Sequence, residues 1–376
     1  MKKLHHPGTP CKRIIQKDYS LSEIEEKNIE LVKCGEGWGL FGEDEFWISD
    51  KEKEILESKK EIRQFRPKEI EVKDWGFYSP IDLEIELTKK CNQRCIHCWN
   101  ESGKNIFIPN KKLEEMVTEF RTSGGQKIKL TGGEPLQHPK FFEFLVYSKK
   151  SGIRDIELTT NGSLINEKNI EDLSKYVGKL NISLHGATEE VHNQITQTQN
   201  YYKTVDAIKK CRLVGLDTTI NFTVMGENES EIENLFYLAE EMDSKIRFNL
   251  LMQIGSGKNL RDLSDQVPRL RNQIFALSKK YEVYLERSGL YPVGYKEGFG
   301  DSKFYGCNAL RKGLFVTAEG LVLPCNQAKK PIGDIYKNSI EEIWGSEKAG
   351  KVRDLTSCKL RNSEVLCSGK CKAEEI

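Results

Sequence analysis

From Ile81 onward the chain alternates two hydrophobic rhythms. Ile81, Leu83, Ile85 and Leu87 are separated by Asp82, Glu84 and Glu86, a period of two that predicts a strand with one apolar and one acidic face. A parallel strand covered on both faces reads as a continuous apolar run, so the acidic set predicts a solvated cavity or edge. Strand-like runs recur over 127–130, 154–160, 179–184, 217–224 and 245–251, and helical patterns over 110–122, 139–151, 166–177, 201–214 and 228–241. Six βα units in succession predict an α/β fold with a parallel sheet. Val267, Leu270, Ile274, Leu277 and Tyr281 then recur at helical spacing, which predicts a bridging helix with one apolar stripe.

The flanks read differently. Residues 1–80 form a small α+β module: Ile29–Lys33 and Trp38–Gly42 flank a glycine-rich turn and predict a hairpin. Ser49 or Asp50 caps a short helix through Lys59, and a Lys/Glu-rich stretch through Asp74 reads as exposed helix or linker. The core is expected over 81–284, and 285–376 forms a cysteine-rich extension that begins with a run of glycines and aromatics.

Charge excludes some partners. The net charge is only +1, with both signs interspersed, so the basic footprint of a nucleic-acid binder is missing. No apolar run approaches a membrane span and the N-terminus has no hydrophobic signal core, which predicts a cytoplasmic protein with no membrane partner. Eleven cysteines, an odd number clustered in two places, argue for metal in a reducing compartment rather than a disulfide scaffold.

The first cluster is Cys91, Cys95 and Cys98 in the run CNQRCIHC, directly after the Ile81–Leu87 strand. This C-x3-C-x2-C spacing lets one loop wrap three thiolates around an iron–sulfur cluster. A [4Fe–4S] cube has four irons, so three ligands leave one iron open, whereas electron-shuttling clusters are normally held by four. A structural zinc site is the plainer reading, but zinc sites usually pair two cysteine or histidine halves rather than a triple. The next strand ends in Thr131-Gly132-Gly133-Glu134-Pro135, whose glycines permit close backbone approach to a ligand.

Together these two motifs resemble the radical S-adenosylmethionine (SAM) enzymes, whose cores are partial (β/α)6 TIM-like barrels. The resemblance implies that the open iron binds SAM and that Gly132, Gly133, Glu134 and Pro135 meet its methionyl amine. It implies that His97, where relatives commonly carry an aromatic residue, lies near the adenine. Thr159-Thr160-Asn161-Gly162 resembles the segment near the ribose, with Asn161 as its contact, and Ser183 resembles a serine that hydrogen-bonds SAM. His138, His185 and His192 read as structural histidines, and Cys11, Cys34 and Cys211 as inert thiols.

The second cysteine group, Cys307, Cys325, Cys358, Cys367 and Cys371, resembles the SPASM/twitch extension, which holds auxiliary iron–sulfur clusters. Arg361 stands where that pattern has a cysteine, and no cysteine follows Cys371. Five candidates suit one auxiliary cluster, and the resemblance favours Cys307, Cys325 and Cys371 as its ligands with Cys358 or Cys367 as the fourth; zinc on the same residues is the alternative. The resemblance implies reductive cleavage of SAM to a 5′-deoxyadenosyl radical that removes a substrate hydrogen. A peptide or protein substrate is favoured, as in maturation of ribosomally made peptides, with residues 1–80 recognising a leader segment. A small molecule or tetrapyrrole is the alternative substrate, and a non-enzymatic electron carrier the alternative class. Flavodoxin or ferredoxin is the expected electron donor.

Overall fold

A computed structural model describes residues 79–100, 103–286, 309–310 and 312–355, together with short strands between residues 30 and 77. In the N-terminal module, β1 (Glu30–Cys34) and β2 (Gly37–Phe41) pair antiparallel with Cys34 opposite Gly37, giving the expected hairpin. β3 (Phe46–Ser49) adds to β2, and β4 (Lys68–Glu69) runs parallel to β1. The helix expected over 50–59 lies outside the described residues. Within the Lys/Glu-rich stretch the described residues are corrected from helix to strand: β4 and β5 (Val72–Lys73) are short strands, and β5 pairs antiparallel with β6 (Gly76–Phe77), just past the stretch. Ile70 and Val72 alternate with Glu69, Glu71 and Lys73, and branched residues at that period favour strand over helix.

The core follows the expected rhythm. The six parallel strands β7 (Asp82–Glu86), β8 (Lys127–Thr131), β9 (Asp155–Thr160), β10 (Lys179–Ser183), β11 (Thr218–Val224) and β12 (Lys245–Leu250) lie side by side in chain order. Helices α1 (Asn110–Thr122), α2 (Phe141–Lys150), α3 (Ile170–Tyr176), α4 (Glu189–Thr196), α5 (Tyr201–Leu213), α6 (Ile232–Glu241) and α7 (Val267–Lys280) accompany them. Leu113, Met116, Val117 and Phe120 show why α1 forms: they fall on one face and are buried. The same core takes in Leu83 and Ile85 of β7 and Ile128 and Leu130 of β8. Burial of each such side chain contributes about 1.5–3 kcal/mol.

Helix α4 was not anticipated. Its sequence, EEVHNQIT, is polar, yet His192, Asn193, Ile195 and Thr196 are all buried, so packing supplies what local pattern does not.

The sheet is a partial barrel. Past β7 it continues into β13 (Gly313–Val316), parallel to β7, and then into the antiparallel β14 (Leu321–Leu323) and β15 (Gly333–Asp334). The C-terminal extension is thus hydrogen-bonded onto the β7 edge of the core sheet. Helices α8 (Ile340–Gly345) and α9 (Glu347–Leu355) follow. Among the described residues no helix is long and apolar enough to cross a membrane.

The polar faces of the strands carry a charged network. Lys127 pairs with Asp155 at 3.0 Å and Glu157 at 2.9 Å, Arg247 reaches Glu157 at 3.4 Å, and Lys179 pairs with Glu286 at 2.7 Å. Burial alone would raise the Glu157 carboxyl, but Lys127, Lys129 and Arg247 outweigh it and hold the group far below the usual carboxylate range. On the acidic face of β7 burial outweighs the nearby cations, Lys129 and Lys127 beside Asp82 among them. Burial pushes Asp82 up to about 6 and also raises Glu84 and Glu86.

Candidate active site

Three loops leave the C-terminal ends of β7, β8 and β9, and hydrogen bonds tie them into one body. Thr88 and Lys90, just before the first cysteine, accept from Gly133 N at 2.6 Å and Glu134 N at 2.8 Å. A Cβ on Gly132 would lie 2.6 Å from the Thr88 carbonyl, and one on Gly133 would strike the Lys90 carbonyl. Glycine is therefore required here by close approach of the cysteine loop, in addition to any ligand.

Glu134 is wholly buried. Its Oε1 accepts from Leu136 N at 3.1 Å and Thr160 Oγ1 at 2.7 Å, and its Oε2 from Asn161 N at 2.8 Å. Burial raises its pKa, and these three donors oppose the rise. Both oxygens are thus engaged by protein donors, and Glu134 acts as the tie between the second and third loops. Asn161 extends the tie: its Nδ2 donates to Asn92 Oδ1 at 2.9 Å, and Asn92 Nδ2 donates to Ser163 at 2.9 Å.

The cysteine loop is braced on two further sides. Arg94 N and Ile96 N donate to the Thr196 and Ile195 carbonyls at the end of α4, at 3.1 and 3.0 Å. Ser256 N donates to the Cys98 carbonyl at 2.8 Å, and Gly255 leaves no room there for a Cβ. Cys91, Cys95 and Cys98 are half-buried and form no disulfide among the described residues. Burial pushes Cys91 up to about 11 and raises Cys95 further, and the nearby Cys98 adds to the rise of both. Metal binding reverses this by displacing the protons.

Among the described residues no three Cys, His, Asp or Glu side chains converge as around a single ion. A cube places each thiolate on a different iron, so its ligands need not meet. Gln93 Nε2 and His97 Nδ1, in the same loop, are buried with no partner among the described residues, as expected beside a group that supplies acceptors. The donor set fits an iron–sulfur cluster.

His97 packs edge-to-face on His185 with ring centroids 4.2 Å apart, and burial with the nearby His192 pushes it down to about 4. His185 Nδ1 accepts from Thr223 N at 3.3 Å and His192 Nδ1 from His185 N at 3.2 Å. His138 is partnered at both nitrogens, by the Ile108 carbonyl and Lys140 N. Ser183 ends β10 beside Asn221 of β11. Cys211 is buried on α5.

In the second cysteine group Cys325 is described; Cys307, Cys358, Cys367 and Cys371 lie outside the described residues. Cys325 follows β14 and packs, with Trp99, against Phe315, Leu323 and Ala328. Trp99 directly follows Cys98 and meets the Phe315 ring edge-on at 5.8 Å. Asn326 Nδ2 donates to Glu84 at 3.1 Å, Ala318 N donates to Glu86 at 2.9 Å, and Asn100 donates to the same Glu86 carboxylate. Lys89 pairs with Glu319 at 2.5 Å. The loop carrying Cys98 and the hairpin carrying Cys325 are therefore packed together through β7. Sequence reasoning missed Glu84, Glu86 and Trp99 in this role, although the acidic face of β7 was visible.

The Radical SAM superfamily model matches residues 85–239, and that of the SPASM iron–sulfur cluster-binding domain matches residues 307–372. An AdoMet-dependent heme synthase of Methanosarcina barkeri (strain Fusaro / DSM 804) is 29% identical over 325 residues, spanning 78% of this chain and 92% of that protein. A GTP 3′,8-cyclase of Clostridium perfringens (strain 13 / Type A) is 31% identical over 281 residues, spanning 69% and 85%. In fold, the crystal structure of Streptococcus suis SuiB bound to precursor peptide SuiA aligns with a TM-score of 0.71 at 17% identity, covering 92% of this chain and 94% of SuiB.

Proposed function

The chain belongs to the radical SAM superfamily of enzymes and carries a SPASM domain, and on that premise we propose that it removes hydrogen from a peptide or protein side chain. When bound, a [4Fe–4S] cluster and SAM supply reductive cleavage to a 5′-deoxyadenosyl radical, the cofactors bringing the chemistry and the protein the positioning. Cys91, Cys95 and Cys98 are the residues that would hold that cluster. The segment Gly132–Pro135 would offer backbone carbonyls to the SAM amine, with Asn161 and Ser183 near the rest of the cofactor and His97 toward its adenine.

The observation that carries the reading is the three-loop body, in which the cysteine loop, the Gly-Gly-Glu-Pro turn and Asn161 are locked by Glu134 and Asn92. Cys325 joins Cys307, Cys371 and one of Cys358 or Cys367 around a single auxiliary cluster in this proposal. The packing of Trp99 on Phe315 suits an auxiliary group working with the first. The peptide assignment is supported by the fold shared with SuiB, which was crystallised with a precursor peptide, along nearly the whole chain. The small N-terminal sheet then serves as the leader-binding module, taking the peptide as an added strand. A flavodoxin or ferredoxin of the same cytoplasm would deliver the electron.

A second reading, a tetrapyrrole or other small molecule as substrate, is favoured by the heme synthase relative. Anaerobic incubation with SAM, reductant and, in parallel, either peptides encoded beside this protein or a tetrapyrrole separates the two by mass spectrometry. The expected result is 5′-deoxyadenosine with a peptide mass change. 5′-Deoxyadenosine with a modified tetrapyrrole and unchanged peptides would overturn the peptide reading.

A further inference from the structure

We propose that Gln93 donates hydrogen bonds to two of the three thiolates, from its backbone to Cys91 and from its side chain to Cys95, and thereby raises the reduction potential of the cluster they hold. The inference rests on the reading of Cys91, Cys95 and Cys98 as cluster ligands.

Three residues separate Cys91 from Cys95. Asn92 is turned to Asn161 and Ser163, and Arg94 donates to the Cys91 and Gln93 carbonyls at 2.8 and 2.7 Å. Gln93 turns inward and is buried, with 4% of its surface exposed. Its backbone N–H donates to Cys91 Sγ at 3.4 Å, and its Oε1 accepts from the Cys95 thiol at 3.3 Å. Its Nε2 is buried and has no partner among the described residues.

An unpaired buried amide donor costs free energy, and the same amide has a second fault once metal is bound. A ligating cysteine is a thiolate with no proton to donate, so a carbonyl oxygen against it is repelled. Half a turn about the last side-chain bond exchanges the oxygen for the unpaired –NH2, and the amide then donates to sulfur at a separation the fold already provides. The rotation pairs the donor and ends the repulsion, and it leaves the carbonyl oxygen where the –NH2 had no partner; the exchange is favoured because a hydrogen bond to a charged thiolate is stronger than one to a neutral group. Hydrogen bonds to the ligand sulfurs draw off electron density, favour the reduced cluster and so raise its potential.

The test is a redox titration followed by electron paramagnetic resonance on anaerobically reconstituted full-length protein, with iron content measured for each sample. The relevant cluster is the one whose signal changes when SAM is added. For Gln93→Leu we expect a lower midpoint, with the reduced-to-oxidised ratio at a fixed solution potential falling roughly tenfold, which is 59 mV for one electron. Gln93→Glu should fall further, since a carboxylate adds charge and offers no donor. A loaded Gln93→Leu protein with the parent midpoint would overturn the proposal. If the variants fail to load, the parent protein labelled with 15N at glutamine side-chain amides decides: a nitrogen coupling to the reduced cluster supports the donor, and its absence overturns it. A parent protein that takes up no iron and gives no SAM-sensitive signal removes the cluster reading itself, and this inference with it.

Discussion

The Glu134 carboxylate accepts the backbone N–H of Asn161 at 2.8 Å, joining a turn after β8 to a turn after β9 inside a site where both carboxylate oxygens already take protein donors. The acid in the Gly-Gly-Glu-Pro turn is thus a positioning residue that sets where two ligand-facing loops stand. Glu134→Gln keeps the shape but replaces one acceptor by a donor, which then faces an N–H or hydroxyl. The expected loss of stability is about 1–3 kcal/mol, read as a lower urea midpoint. SAM affinity should weaken as well, and unchanged affinity in a destabilised protein would confine Glu134 to folding.

Cys98→Ala removes one of three thiolates from the braced loop. We expect loss of the SAM-sensitive cluster signal and of 5′-deoxyadenosine formation, measured by chromatography of an anaerobic reaction. Retained turnover would remove the assignment of the first site.

Cys325 packs in a separate apolar group that Trp99 joins to the first site. Cys325→Ala is expected to leave SAM cleavage within a few-fold of the parent while product formation stops. Unchanged product would refute an obligatory role for the auxiliary cluster.

Asp82 titrates near 6 because burial disfavours its charge. The unfolded chain releases this proton near the ordinary value, so the folded state is progressively penalised as pH rises from about 4 through 6. Asp82→Asn should therefore stabilise the protein above pH 6, by at most about 3 kcal/mol, with the advantage vanishing toward pH 4. Denaturant melts at pH 4.5 and 8 check this, and an advantage that grew toward acid would reverse the sign.

Deletion of residues 1–75 tests the leader-binding module. The expected outcome is at least tenfold weaker peptide binding with SAM cleavage preserved. An unaffected dissociation constant would end that assignment.

Period-two and helical repeats are local, and they were enough to foretell the six core strands and most of their helices. The cysteine spacing likewise announced its chemistry, because ligands on one short loop need little help from the rest of the chain. Longer-range relationships left no local trace. Helix α4 is polar by sequence and exists because His192, Ile195 and Thr196 find a core to enter. Glu86 and Ala318 are 232 positions apart, and Glu84 and Asn326 are 242 apart, yet they hydrogen-bond because β13 completes an edge of the barrel. Glu134 stands in a motif that the sequence marks for a ligand, and only the structure shows that three donors from neighbouring turns also converge on it. Sequence alone indicated most of the core elements and the cysteines proposed to hold iron. Tertiary packing decided which polar groups are spent on one another, since the desolvation cost of burying a carboxylate or amide forces it onto whichever donor or acceptor the fold brings near.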